Sequence, residues 1–168
     1  FILALDFLLR VPLQKTPTQE VKPYLLLPVK RNRIIDFLLI RSGLSLFNLF
    51  WLFMFVPFSF ITITKYFGIS GVLTYLIGIW LLIVANNYWY LLCRTLINER
   101  IWWVLLPIVF YGGIACLLFI PEDSPLFYFF MDLGDGYIQG NILCFLGTIL
   151  VIVTLWLVNR KLMSGLIY

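Results

Sequence analysis

Apolar runs of membrane length, separated by short loops that carry nearly all the charge, constrain this chain more than any other feature. Four stretches, 44–64, 70–92, 101–120 and 137–158, each supply about 20 mostly apolar residues, the number an α-helix needs to cross a hydrocarbon core. Backbone polar groups in lipid find no water, so these runs must be helical. Charged residues make up 12% of the chain, against about 25% in soluble domains, too few to keep a chain that is 62% hydrophobic in water. A soluble fold is excluded. The expected architecture is all-α: a polytopic transmembrane helix bundle of four complete spans plus the end of an earlier one. Residues 1–9 begin inside an apolar run without Met or a charged leader. They read as the C-terminal end of a truncated span, with residues 159–168 a tail that is also cut.

Lysines and arginines bias loops toward the cytoplasm, and here they give a consistent orientation. Arg10, Lys15, Lys22, Lys30, Arg31, Arg33 and Arg41 precede the first complete span; Arg94 and Arg100 separate the second from the third; Arg160 and Lys161 follow the fourth. The opposite side has Lys65 with Glu122, Asp123, Asp132 and Asp135. Residues 10–43, 93–100 and 159–168 are therefore expected in the cytoplasm. Trp102, Trp103 and Trp156 at the inner ends, and Tyr66, Phe67 and Tyr137 at the outer ends, suit the headgroup level.

Several activities are ruled out. The chain has no His, so paired-histidine zinc chemistry and a Ser-His-Asp triad are impossible within it. It lacks a Gly-rich phosphate loop, and no Asp, Glu, Lys, Arg or His falls in the middle of a complete span. Cys93, Cys116 and Cys144 form no spaced pair. A non-catalytic membrane protein is expected, with no cofactor, no metal and no nucleic-acid partner.

Arg41, Ser45 and Asn48, spaced four and three apart, stack on one helical face, and Asn86 and Asn87 lie in the inner half of the second span. This polar face lines a cavity or bonds between helices, the latter at around 0.6 kcal/mol per contact. Gly71, Gly78 and Ala85 recur every seven residues and make one side of the second span smooth, and Gly136, Gly140, Cys144 and Gly147, three or four apart, do so for the fourth. Such faces let helix backbones approach closely, within the chain or in a homodimer. Pro57 and Pro107 are expected to kink their spans. In the outer loop 121–136, Leu126 to Met131 is too short to span and is expected to dip into the interface or cap the bundle. Asp132 to Gly136 reads as a turn.

Between Arg10 and Arg41 the chain becomes a basic hinge. Pro12, Pro17, Pro23 and Pro28 interrupt any long helix, and Thr18 is a candidate N-cap. Arg33 and Asp36 are placed to pair, and Ile34, Ile35, Leu38 and Leu39 alternate with polar residues in an amphipathic run toward the membrane. The phrase Leu27-Pro28-Val29-Lys30-Arg31-Asn32-Arg33 resembles the cytoplasmic segment of ABC-2-type transporter permeases. The wider run from Leu5 and Asp6 to Phe47 and Asn48 is similar to a bacterial multi-pass family allied to them. The resemblance covers about residues 5–50. It implies the membrane subunit of an ATP-driven exporter in the bacterial inner membrane, working with a second permease half or copy. Leu27, Pro28, Val29, Lys30, Arg31 and Arg33 would then form a coupling helix seated on a separate ABC ATPase subunit. Such permeases have six spans per unit, more than are visible here. Without the resemblance, the residues leave open a membrane scaffold or assembly protein that docks lipid or another partner through the hinge. An intramembrane enzyme with catalytic groups elsewhere is the weakest alternative.

Overall fold

The computed structural model describes residues 2–14, 24, 28–116, 119 and 124–166. Among them it is all-helical, with no strand. The helices are α1 (Ile2–Leu13), α2 (Arg31–Gly43), α3 (Leu46–Thr62), α4 (Thr64–Glu99), α5 (Leu105–Cys116, entered through a 3-10 turn at Ile101–Val104), α6 (Pro125–Ile138) and α7 (Ile142–Leu166).

Three stretches, Asn32–Thr62, Thr64–Glu99 and Ile142–Gly165, are long and apolar enough to cross a membrane by length and composition. Their outward faces are apolar: Phe53 is 87% exposed, Ile61 79% and Leu143 72%. Surface of that kind needs lipid or another apolar partner over it. The 36 residues of α4 extend to ~54 Å at 1.5 Å per residue, well beyond a core of ~30 Å. Gly68, at φ 66°, breaks this helix near its start, where only glycine adopts the left-handed backbone without strain. The expected third span is shorter in the structure. Its α-helical part has 12 residues, or ~18 Å, and 117, 118 and 120 lie outside the described residues.

The aromatic outer segment is a helix rather than a loop with a turn. Ser124 caps α6 by accepting from the Phe127 amide at 3.2 Å, and Pro125 occupies the first turn, where its missing N–H costs nothing. Asp132 to Gly136 therefore continue a helix already nucleated upstream. The turn comes later, at Gly140 with φ 72°, and Asn141 starts α7 by accepting from the Leu143 amide. Tyr137 thus closes α6 instead of opening a span.

The long α4 is the spine. Near its N-terminal end, Thr74 Oγ1 donates to the Ile138 carbonyl, and Gly78 makes room for the Tyr137 ring. Tyr137 in turn hydrogen-bonds Thr148 on α7. Farther along, Asn159 of α7 donates to the Tyr88 carbonyl. Contacts that advance together along both helices mean that α4 and α7 run in the same direction. The chain between them must therefore travel back over the length of α4.

The apolar core gathers at the opposite end of the bundle from Gly68. Ile34, Ile35, Leu38 and Leu39 from α2 pack with Val84, Tyr88 and Leu91 from α4 and with Met163 from α7. The amphipathic run of α2 is thus a helix laid on the bundle. Arg33 does not hold Asp36, as local spacing had predicted. Arg160 of α7 takes it, with Nε 2.7 Å from Oδ1 and an Nη2 bond of 3.0 Å to Oδ2. The pair ties α2 to the end of α7. Both side chains are partly exposed, so its direct contribution is about 0–1 kcal/mol.

Candidate functional site

Asp6 and Arg10 stand four residues apart on α1, an otherwise apolar helix, and so share one face. Arg10 Nε donates to Asp6 Oδ2 at 2.9 Å, and both side chains are almost fully buried. Removing two charges from water costs several kcal/mol per ion, and mutual attraction offsets this only where the remaining donors and lone pairs also find partners. Here α3 and α4 supply them, and α5 braces one of the donors.

The Arg10 guanidinium donates through Nη1 to Asn87 Oδ1 at 2.7 Å and through Nη2 to Asn48 Oδ1 at 2.7 Å. A longer Nη1 bond reaches Gln14, and the Phe47 ring lies 4.9 Å from the guanidinium carbon. On the acid, Asn86 Nδ2 donates to Oδ2 at 2.7 Å and Trp51 Nε1 to Oδ1 at 2.6 Å. Asn86 is itself held, its Oδ1 accepting from Tyr111 of α5 at 2.6 Å. Tyr90 OH donates to the Arg10 carbonyl at 3.1 Å, closing the end of α1. Charge is balanced and both carboxylate oxygens are occupied. A network satisfied in this way specifies one arrangement of its helices.

The same side chains build an elbow between α2 and α3. Ser45 adopts an extended backbone (ψ 142°) and caps α3 by accepting from the Phe47 amide. Asn48 Nδ2 donates to the Gly43 carbonyl at 2.6 Å and the Ser42 carbonyl at 3.2 Å, satisfying orphan acceptors at the end of α2. Ser42 Oγ accepts from Asn87 Nδ2 at 3.0 Å, and Tyr88 OH donates to the Leu39 carbonyl at 3.0 Å. Gly43 is required here, since a Cβ would sit 2.7 Å from the Tyr88 hydroxyl.

The expected polar face is divided by this elbow. Asn48, Asn86 and Asn87 come together around Asp6 and Arg10. Arg41 points away, exposed and 3.4 Å from Tyr24 OH, and Ser45 serves as a cap. Asp6, Arg10, Gln14, Ser42, Trp51 and Tyr111 were not recognised from sequence as site residues. The available signal was an Asp and an Arg at helical spacing in an apolar run, which demands polar partners. The expected packing glycines also separate. Gly71 and Gly78 lie in close contacts, Ala85 is half-buried, Gly140 makes the turn, and Gly147 has no atom within 4 Å of an added Cβ.

In the basic hinge, Pro28, Val29, Lys30 and Arg33 are exposed. Leu27, Thr18 and the Arg31 side chain lie outside the described residues. Lys30 is the N-cap of α2 and offers no side-chain cap, and the first turn holds no acid. Cations thus collect at the end of the helix where the backbone dipole is already positive, an arrangement that disfavours the isolated helix. Among the described residues, no three His, Cys, Asp or Glu side chains are grouped to hold a metal ion.

Fold and site together define a helical protein with membrane-length apolar helices whose inner packing turns on a buried ion pair and a helix elbow. The chain matches a family of unknown function, DUF5687, over residues 1–168, and it belongs to that family. No curated protein matches the chain, and no solved structure does.

Proposed function

We propose that the chain is the membrane-spanning subunit of an ATP-driven exporter of the ABC-2 type, receiving a separate ATPase at Pro28 to Arg33. The observation that carries this reading is the form of α2. Its exposed start bears cations that meet no carboxylate among the described residues, while its body is fixed to the bundle by Ile34, Ile35, Leu38 and Leu39, by the Asp36–Arg160 pair and by the elbow. A force applied at Lys30 and Arg33 would reach α3, α4 and α7 through rigid contacts.

In this reading the α2 end of the bundle faces the cytoplasm, an orientation that the distribution of Lys and Arg favours. The parallel course of α4 and α7 supports a further crossing between them, with 101–120 as the third of four spans. ATP binding draws two ATPases together, moves the docked α2 start, and shifts the attached spans between inward- and outward-facing arrangements. A basic hinge serving only lipid would define a scaffold instead.

The test is gentle-detergent purification of the tagged full-length protein from native membranes, followed by mass spectrometry. An ABC ATPase is expected at near-equal amount, falling to background in a Lys30→Glu/Arg33→Glu variant. A clean preparation without ATPase contradicts the proposal and favours the scaffold.

A further inference from the structure

We propose that Arg10 is a positioning residue that latches the α2–α3 elbow, and that the latch opens when α2 is driven. The proposal rests on the transport reading for its driving force, but its geometry stands separately. The ion pair lies wholly within α1, so the two charges move together and remain neutralised if α1 shifts against its neighbours. The bonds that cross to other helices are instead neutral at one partner: Arg10 to Asn48 and Asn87, and Asn86 and Trp51 to Asp6. These can exchange without leaving a bare charge in an apolar interior.

Asn48 links the latch to the elbow, for one end of its amide holds the last carbonyls of α2 while the other receives Arg10. Parting Arg10 from Asn48 therefore loosens the side chain that sets the elbow angle. Asn87 does not depend on Arg10 alone. Gln14 Nε2 already donates to Asn87 Oδ1 at 3.3 Å and to Ser42 Oγ at 3.2 Å, so Asn87 keeps a donor when Arg10 withdraws. Leu44, at the bend itself, is 66% exposed, so little apolar packing holds the angle there. A polar network that keeps Asn87 bonded after losing Arg10 can release the elbow without stranding that amide, which suits it to switching.

Hydrogen exchange on the purified complex, nucleotide-free and trapped with ATP and vanadate, tests the latch. Amides 43–48 are expected to exchange about tenfold faster in the trapped state, while amides 5–10 of α1 keep their protection. Arg10→Lys keeps the charge beside Asp6 but cannot reach Asn48 and Asn87 together. It is expected to show the fast elbow without nucleotide. Should that variant not fold, Gln14→Leu carries the test: with Arg10 then the stronger remaining donor to Asn87, release is costlier and its elbow stays protected in the trapped state. Equal exchange in both nucleotide states, with the folded variants behaving as wild type, overturns the latch. If no ATPase associates, the transport reading falls, and the Arg10→Lys comparison on the chain alone decides the latch.

Discussion

Arg10→Ala destabilises the protein by about 3–5 kcal/mol, the cost of leaving a buried carboxylate without its cation. Asp6 has almost no exposure, and its neighbours Asn86 and Trp51 are hydrogen-bond donors that cannot replace a full positive charge. Truncation also strips Asn48 and Asn87 of their principal donor. Reversible unfolding in mixed micelles measures the loss. The double variant Asp6→Asn/Arg10→Gln, which removes both charges and keeps hydrogen-bonding side chains, is expected to recover most of it. A double-mutant cycle then gives a favourable coupling between the two positions. If Arg10→Ala unfolds like wild type, the buried pair does not hold these helices together.

Gly78→Ala is expected to cost about 1–3 kcal/mol in the same assay, the usual range for forcing an extra methyl into a filled interior. The added Cβ would lie 2.5 Å from Tyr137 Cδ1 and 2.8 Å from Cγ. That ring has little room to yield, being buried and bonded through its hydroxyl to Thr148. Gly147→Ala is the control. An added methyl there meets nothing within 4 Å, so the change is expected to be neutral or slightly stabilising through helix propensity. Equal effects at the two sites would contradict the packing of α6 against α4.

The comparison also shows what the sequence could disclose. Gly78 and Gly147 look alike as small residues on apolar helices, and only tertiary contact separates them. Membrane-length helices and the isolated amides Asn48, Asn86 and Asn87 were legible because apolar runs make each polar residue conspicuous. Arg10 was not, because a cation after an apolar run reads as a cytoplasmic loop residue, and the pairing that lets it be buried depends on helices distant in sequence. The elbow is legible only as a boundary. Ser42-Gly43 followed by Ser45 separates the amphipathic run from the span at 43/44, but the bonds from Asn48, Asn87 and Tyr88 that fix its angle depend on tertiary contact. Asp36 offered a local partner at the right spacing, yet Arg160, 124 residues away, binds it. The start of α6, by contrast, carried a readable Ser-Pro signal that the short length of the aromatic run obscured.

The proposed exporter role turns on what touches the exposed start of α2, and photocrosslinking in intact cells reads this most directly. A photoreactive residue in place of Val29, exposed and immediately before the Lys30 cap, is expected to capture an ATPase bearing a Walker A phosphate loop, with capture abolished by Lys30→Glu/Arg33→Glu. Adducts confined to lipid, or to proteins without such a loop, would contradict the account.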